Sequence, residues 1–305
     1  MGTHLHDTNS AAIAAELLLA RRHAGSPAMG MVLTLVVDTD EAGADTALAA
    51  AREASTEHPA RVIGVVRGRA SGASNVDAEI MIGRGAQGET VLIRLSGAVA
   101  AHAESVVLPL LLPDSPVVIW WPGRAPDDPA SDPLGALGRR RITDCAAVPA
   151  CEPDPLLTQC AAFAPGNTDL SWTRLTVWRG LLAAALDGYP GTVSAAEVVA
   201  EPDSPSAELL RAWLTDRLNV RAARLESEGP GITSVRLVTA AGEISITRAD
   251  GRLAVLTSPG QPDRPLALKR RETAELLAEE LRRLDNDDVY EATIKRLSKL
   301  EGVGR

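Results

Sequence analysis

The sequence has 305 residues, of which 45% are hydrophobic and 23% are charged. This balance is typical of a folded chain that is long enough to bury two cores. The 31 basic and 40 acidic residues give a net charge of −9, which argues against nucleic-acid binding because such proteins need a basic surface. No apolar run reaches the roughly 18 residues that cross a bilayer. We therefore expect a soluble protein with neither a membrane nor a nucleic-acid partner.

The first part of the chain alternates short apolar runs with helical patterns. The predicted strands span residues 31–37, 61–66, 77–82, 89–95, 116–121 and 142–146. The predicted helices span residues 10–23, 41–57, 100–111 and 155–163. The strand, helix, strand order predicts parallel pairing, and 77–82 with 89–95 predicts a hairpin. We expect a mostly parallel three-layer α/β domain over residues 1–165, with an irregular start at 1–9 and an exposed loop at 122–138.

The second part begins with the strongest helical pattern in the chain, over residues 169–186, which we assign to a connecting segment at 166–190. At 100° per residue, its large apolar side chains share one side of the helix. Residues 191–285 then combine one helix with several alternating runs and a closing helix at 272–284, which predicts a smaller α+β domain with a largely antiparallel sheet. Residues 286–305 form a helical tail.

The three cysteines, Cys145, Cys151 and Cys160, are an odd number in a large chain and do not suit a disulfide framework. A reducing compartment fits them best, so we expect a cytoplasmic protein. Without an evident activating charge nearby, idle or buried thiols are favoured over a redox pair.

Residues 83–88, GRGAQG, match the G-x-G-x-x-G dinucleotide fingerprint letter by letter. The fingerprint needs a helix immediately afterwards, whose N-terminal amides hold the pyrophosphate. Residues 89–95 alternate instead like a strand. The segment is therefore interpreted as a hairpin turn.

No catalytic or metal-binding motif is visible in the sequence. The five histidines are scattered, and no C-x-x-C, H-E-x-x-H or G-x-S-x-G occurs. We therefore expect no metal, no cofactor and no catalysis. Asp38 follows the first strand, where open α/β sheets bind ligands, and is the best candidate for a ligand-facing carboxylate. Such an aspartate more often caps the following helix.

Two groups of residues are candidates for contacts with another protein. The triplet Arg139, Arg140 and Arg141 stands out in an acidic chain and is either a site for an acidic partner or a solvated surface run. Trp120 and Trp121 point to opposite faces of one strand, so we expect one to be buried and the other exposed.

A second tryptophan pair, Trp172 and Trp178, lies on the helical stripe, with Arg174 and Arg179 at its margins. Tryptophan and arginine dominate protein interfaces, because a large ring buries much area and a guanidinium can pair in a desolvated setting. The alternative is that the two rings only join the two domains.

Several stretches resemble the actinobacterial glucose-6-phosphate dehydrogenase assembly family, OpcA. They are LPLLLPDSPVVIWWPG at 108–123, RRITDCA at 140–146, DLSWTRLTVWRGLLAAALD at 169–187, and the segments 30–37 and 53–66. The D-L-x-W-T-R-L-x-x-W-R motif is occupied by Asp169, Leu170, Trp172, Thr173, Arg174, Leu175, Trp178 and Arg179. The resemblance spans nearly the whole chain.

The resemblance implies a protein that associates with glucose-6-phosphate dehydrogenase and promotes its active oligomer, at the entry to the oxidative pentose phosphate pathway. It supplies no catalytic residues. The candidate partner-binding residues are Trp120, Trp121, Arg139, Arg140, Arg141, Trp172, Arg174, Trp178 and Arg179. One alternative is an enzyme or sensor that binds a sugar phosphate or nucleotide near Asp38 and Arg67, and another is a purely structural homo-oligomer.

Overall fold

The structure, a computed structural model, describes residues 2–24, 30–82, 88–150, 153–189 and 191–302. Its strands are β1 (Gly2–Leu5), β2 (Leu33–Thr39), β3 (Ala60–Arg67), β4 (Asn75–Ile82), β5 (Glu89–Ser96), β6 (Val117–Trp120), β7 (Arg140–Thr143), β8 (Asn167–Asp169), β9 (Val193–Ala200), β10 (Ala222–Glu226), β11 (Ile232–Thr239), β12 (Gly242–Thr247), β13 (Leu253–Thr257) and β14 (Arg264–Ala267). Its α-helices are α1 (Ser10–Ala24), α2 (Ala44–Ala54), α3 (Ala103–Val107), α4 (Pro155–Ala161), α5 (Leu170–Thr173), α6 (Thr176–Asp187), α7 (Pro205–Leu218), α8 (Thr273–Arg282) and α9 (Asp288–Leu300).

The first of two compact units comprises Met1–Ala147, Ala164–Thr168 and Thr273–Asn286. Its sheet has the strand order β1-β4-β5-β3-β2-β6-β7-β8. The pairs β2–β3, β2–β6, β3–β5 and β6–β7 are parallel, whereas β4–β5 and β1–β4 are antiparallel. The run from β5 to β8 has the 3-2-1-4-5-6 neighbour order of a doubly wound α/β fold. The predicted mostly parallel sheet is confirmed.

Helices cover both faces of the central strands, which explains why β2 and β3 are continuous apolar runs. On one face, α1 packs on β4 and α3 packs on β3. On the other, α2 packs on β2 and β3, and α8 packs on α2. The approach of α2 is close at Gly64, where an added Cβ would lie 2.8 Å from the Leu48 side chain.

The second unit comprises Val148–Phe163, Asp169–Glu272 and Asp287–Arg305. Its sheet has the order β10-β9-β11-β12-β13-β14, and every pair is antiparallel except β10 with β9. Helix α7 packs on β9 and β10, while α9 packs on α7 and α4. Alternation of buried and exposed residues along β11, β12 and β13 gives this sheet one buried face. The predicted α+β domain with a largely antiparallel sheet is confirmed.

Three predictions about the first half of the chain need correction. The irregular start contains β1, an edge strand that pairs with β4 and therefore depends on backbone hydrogen bonds that the side-chain pattern does not reveal. The predicted helix at 100–111 is α3 flanked by two short 3-10 turns. The loop at 122–138 is not wholly exposed, because Leu134 is fully buried.

The predicted helix over 169–186 is also wrong as a single element. The structure divides it into α5 and α6, with Arg174 and Leu175 between them. The large side chains of the apolar stripe, Trp172 in α5 and Trp178 and Leu182 in α6, are buried. The 100° stripe thus continues across the break and hides it from the sequence pattern.

The structure groups α8 with the first unit and α9 with the second. The domain boundaries at residues 165, 190 and 285 stay a prediction. Among the described residues, no helix has the length and apolar character that a membrane span requires.

Candidate functional site

A cleft of about 680 Å³ opens at the carboxyl ends of β2 and β6. The strand order reverses between these two strands, which is the position where open α/β sheets bind ligands. Asp38 enters the cleft from β2, Arg67 from the end of β3, and Trp121 from the residue after β6.

Asp38 is held by an ion pair and an indole. Arg67 donates from Nε to Oδ1 at 3.0 Å and from Nη2 to Oδ2 at 2.8 Å, and Trp121 Nε1 donates to Oδ2 at 3.0 Å. Burial raises the pKa of Asp38, and the contacts with Arg67 and Trp121 only partly offset that effect. Asp38 does not cap α2, contrary to one prediction. Asp40 instead accepts a hydrogen bond from the Gly43 amide just before that helix.

The chemistry of this cleft disfavours a dinucleotide. A pyrophosphate needs a glycine-rich turn and the positive N-terminus of the following helix. Here the turn carries Asp40, which lines the cleft, and Glu41, which pairs with Arg94, and the first turn of α2 carries Asp45. This segment is therefore acidic where the phosphates would need a positive charge. Arg67 ends β3, the second strand of the parallel sheet, where an arginine could bind a nucleotide phosphate. Its guanidinium is already paired with Asp38.

The G-x-G-x-x-G segment offers no alternative nucleotide site. Residues 83–87 lie outside the described part of the chain, but the flanking elements are the antiparallel strands β4 and β5. The prediction that a strand follows this segment is confirmed. Among the described residues there is also no group of three or more His, Cys, Asp or Glu that could hold a metal ion.

Trp120 and Trp121 are both buried, at 1% and 2% exposure, so the prediction that one is exposed is wrong. They point to opposite faces of β6, as expected, but both faces of this sheet are covered. Trp121 joins the core that includes Ile119 and Leu134.

The arginine triplet divides into one exposed and two buried side chains. Arg139 is 61% exposed and donates to Asp285 Oδ1 at 3.0 Å. Arg140 is buried against Glu280, and its Nη1 also donates to the Asp285 carbonyl at 2.8 Å. Arg141 donates to the Gly138 carbonyl at 2.8 Å and to the carbonyl of Pro165. Arg140 and Arg141 therefore hold together segments of the first unit, and the interpretation as a fully solvated run is wrong.

The tryptophan and arginine side chains of the 169–187 segment are likewise used inside the second unit. Trp172 is 1% exposed and donates from Nε1 to Asp287 Oδ2 at 2.8 Å. The Arg179 guanidinium lies 3.7 Å from the centroid of its ring, and the Tyr290 ring lies 5.5 Å away. This arrangement attaches α9 to α5, since Asp287 is also the N-cap of α9.

Trp178 is 3% exposed and lies under Arg248, whose guanidinium is 5.1 Å from the ring centroid. Arg248 donates to the carbonyls of Leu268 and Ile232, and burial lowers its pKa. Arg174 is half-buried. The four tryptophans are thus parts of the cores of their own units.

The described cysteines, Cys145 and Cys160, are both buried, as expected of idle thiols. Burial raises the pKa of Cys160, and the nearby Asp169 and Asp154 add to the effect. A thiol with a raised pKa is a poor nucleophile at neutral pH. Cys151 lies outside the described residues.

Sequence reasoning missed Asp287 and Arg248, because their partners are distant along the chain. One signal was present for Asp287, since an aspartate immediately before a helical pattern is a typical N-cap. Nothing comparable marks Arg248, which ends an ordinary alternating run.

Two family models match the chain in succession. The model described as the N-terminal domain of a glucose-6-phosphate dehydrogenase subunit, of the OpcA family, matches residues 51–161. The corresponding C-terminal domain matches residues 165–294. A comparison with curated proteins returns no match.

Solved structures with a similar fold include oxidoreductases. An oxidoreductase from Sinorhizobium meliloti is 11% identical, with a TM-score of 0.50 over 89% of this chain and 97% of that chain. A mutant 3-ketoreductase from Actinomadura kijaniata, solved with TDP-benzene and NADP, is 10% identical, with a TM-score of 0.48 over 89% and 96%. At such identities the similarity is one of fold and says nothing about activity.

Proposed function

This chain belongs to the OpcA family of glucose-6-phosphate dehydrogenase subunits, and from that membership we propose that it is a non-catalytic protein that binds glucose-6-phosphate dehydrogenase and promotes its active oligomer. The observation that carries the proposal is the match of both family domains, which together run from residue 51 to residue 294. The dehydrogenase opens the oxidative pentose phosphate pathway, so the proposed role lies in carbohydrate metabolism in the cytoplasm.

Activation in this proposal is a linkage effect. A protein that binds the active form of the dehydrogenase better than the inactive form shifts the population towards the active form. A preference of about 1.4 kcal/mol is enough for a tenfold shift, so a few contacts with different strengths in the two forms suffice.

The chemistry of the strand-end cleft supports a role without catalysis. Asp40 lines the cleft, Glu41 and Asp45 follow it in the turn and in the first turn of α2, and Asp38 neutralises Arg67. A doubly wound sheet that bound a cofactor there would need the opposite charge. The chain therefore shares a fold with oxidoreductases, while the turn where the phosphates of their cofactor would lie is acidic.

The alternative is an enzyme or sensor that binds a sugar phosphate or nucleotide in the same cleft. The cleft volume of about 680 Å³ favours it, since drug-sized ligands occupy cavities of this order. The carboxylates argue against a phosphorylated ligand. Calorimetric titration of the chain alone with NADP⁺ or glucose 6-phosphate separates the two proposals, because only the alternative predicts saturable binding.

Among the candidate docking residues, Arg139 has the most accessible side chain, and Arg174 and Arg179 are half-buried. We keep these three arginines as proposed contacts with the dehydrogenase. The buried tryptophans would act indirectly, by fixing the surfaces that carry the arginines.

The test is a reconstitution of the cognate dehydrogenase with this protein. We expect the two to co-elute in size-exclusion chromatography, and the dehydrogenase to gain turnover and oligomer mass when the protein is added. A dehydrogenase whose kcat, KM and mass stay the same at every ratio contradicts the proposal.

The docking residues are tested with Arg139→Ala in the same assay, and Arg69→Ala is the matched control because it removes another exposed arginine of the first unit. We expect Arg139→Ala to raise the concentration needed for half-maximal activation by about tenfold, as for an interface arginine. Equal behaviour of the two variants removes Arg139 from the docking surface.

A further inference from the structure

The sheet of the second unit has one face that is rich in exposed apolar side chains. Its other face is buried, with Val198, Leu237 and Ile246 fully inaccessible. Ten large hydrophobic side chains are exposed in the described part of the chain, and four of them lie on this one face. They are Leu225, Val238, Leu253 and Val255, at 45%, 39%, 64% and 40% exposure. Exposed apolar side chains gathered on one face of a sheet indicate an interaction site.

Strand pairing places the side chains of this open face in rows across the sheet. One row crosses all six strands and consists of Leu225, Val199, Ser234, Thr247, Val255 and Pro265. Its two ends are apolar and its centre carries two hydroxyls. The adjacent row contains Glu197 and Arg236, whose side chains pair at 3.1 Å, and Arg236 also reaches Glu243 at 3.3 Å.

We propose that this open face binds a second copy of the same chain, sheet against sheet, about a two-fold axis that runs parallel to the strands between β11 and β12. This axis exchanges β11 with β12, β9 with β13 and β10 with β14. Leu225 then lies opposite Pro265 of the second copy, and Val199 lies opposite Val255 of the second copy. The hydroxyls of Ser234 and Thr247 meet at the centre.

The charges of the face also fit a second copy. In the same arrangement Arg236 lies opposite Ser245 and Glu197 lies opposite Thr257 of the second copy, so no like charges meet. An interface of this kind is isologous, since the same patch serves both partners. The charges at the centre of the face, Arg236 with Glu197 and Glu243, nearly cancel. The face therefore offers little attraction to a strongly acidic or strongly basic partner.

The area of the face meets the lower limit for a dimer. Six strands at a spacing of about 4.8 Å span about 24 Å, and the strands of this sheet, with four to eight residues each, have a mean length of about 20 Å. The flat projection is therefore about 500 Å², and side-chain relief adds to it. Two such faces bury about 1,000 Å² in total, which is about the smallest area of a specific interface.

The experiment is light scattering coupled to size-exclusion chromatography of the full chain across a concentration series, without the dehydrogenase. We expect twice the 32.0 kDa of one chain. The double variant Leu225→Lys, Val255→Lys should dissociate into single chains, with the dimer dissociation constant raised by at least about tenfold. The matched control is Val32→Lys, Leu108→Lys, which alters side chains of 54% and 56% exposure outside this sheet and should remain dimeric. Circular dichroism and thermal melting check that all variants fold.

A wild-type chain that stays monomeric at every concentration overturns the inference, as does a dimer that survives the sheet-face variant or is lost equally in the control. A monomeric wild type whose sheet-face variant no longer activates the dehydrogenase assigns the face to that enzyme, and also overturns the inference. Because self-association is measured on the chain alone, the result is independent of the proposed function.

Discussion

The carboxylate of Asp38 is buried and accepts hydrogen bonds from Arg67 and Trp121. Burial raises its pKa and the two donors lower it, so its titration reports which of these effects is larger. Its pKa is raised by burial above the ordinary value of 3.8. The folded protein therefore holds this proton more tightly than the unfolded chain, and the stability that Asp38 contributes is full below pH 3.8 and is lost as the pH rises through the folded pKa. We predict that the unfolding free energy of the wild type relative to Asp38→Asn falls as the pH is raised from about 4 to 6.

Urea denaturation at a series of pH values measures this difference. Asp250→Asn is the control with the opposite sign, because amide hydrogen bonds from Leu253 and Arg252 lower the pKa of exposed Asp250. The stability that Asp250 contributes is present above its unfolded pKa and is lost as the pH falls through its folded pKa. A difference for Asp38 that rises with pH would show that the Arg67 ion pair outweighs burial.

Asp287 performs two tasks with one carboxylate, and the two can be separated. Oδ1 accepts the amides of Val289 and Tyr290 as an N-cap, and Oδ2 accepts the indole of buried Trp172. We predict that Asp287→Ala lowers the unfolding free energy by about 2.5 kcal/mol, of which about 1 is the cap and the rest is the indole left without its acceptor.

Asp154→Ala is the matched control for this prediction. Asp154 caps α4 through the amides of Leu156 and Leu157 and should cost about 1 kcal/mol. Chemical denaturation compares the two variants directly. Equal losses would mean that the indole bond contributes nothing to stability.

At the residue scale, the sequence identified the right side chains but not their partners. Tryptophan and arginine do come together, yet the pairs are Trp172 with Arg179 and Trp178 with Arg248. Such cation–π pairs stabilise a core as readily as an interface. Residue type alone does not distinguish the two settings, because burial depends on segments that are far away in the sequence.

At the scale of elements, α8 is fastened to the first unit by a buried ion pair. Arg140 and Glu280 are 5% and 7% exposed, and Nε of Arg140 lies 3.0 Å from Glu280 Oε2. We predict that Arg140→Met lowers the unfolding free energy by about 3 kcal/mol, because it removes the guanidinium that neutralises a buried carboxylate. The double variant Arg140→Met, Glu280→Leu should recover most of the loss.

The control is Arg139→Met, which removes the exposed pair with Asp285 and should cost less than about 1 kcal/mol. Guanidinium denaturation at neutral pH gives all three values. A double variant as unstable as the single one would mean that the pair gives a net stabilisation that apolar packing cannot replace.

Most elements could be predicted from local patterns, and the exceptions have physical reasons. β2, β3 and β6 were predictable because strands buried on both faces are continuous apolar runs. The break between α5 and α6 was not predictable, since the apolar stripe continues across it without interruption. Strand β1 was not predictable either, because it is an exposed edge strand held by backbone hydrogen bonds.

At the scale of the whole molecule, the strand order from β5 to β8 is that of a dinucleotide-binding sheet, while the residues at its switch point oppose a dinucleotide. The topology follows from alternating buried strands and helices, and these were visible in the sequence. The hydrogen bonds in the cleft join Asp38, Arg67 and Trp121, which meet only when three separate strands are aligned. Of the features that oppose a dinucleotide, only the acidic turn at Asp40 and Glu41 is visible in the sequence.

The first unit draws its parts from three stretches of sequence, the last of which is Thr273–Asn286. A polypeptide of residues 1–168 therefore lacks α8, and Arg140 loses both the Glu280 carboxylate and the Asp285 carbonyl. We predict that this polypeptide is at least about 3 kcal/mol less stable than the unit in the full chain, and that a peptide of residues 270–287 restores part of the loss in trans. The same peptide with Glu280→Gln should restore less, because an amide cannot neutralise the guanidinium.

Tryptophan fluorescence during urea denaturation reports on this fragment, since Trp120 and Trp121 are its only tryptophans. If 1–168 is equally stable with and without the peptide, then the predicted boundary at residue 165 marks a region that folds by itself. If the peptide stabilises the fragment, the first unit needs residues 273–286 for its full stability. Truncation after residue 190 would then remove most of the second unit and also destabilise the first. A loss of dehydrogenase activation in such a truncated protein would report on folding and not on docking.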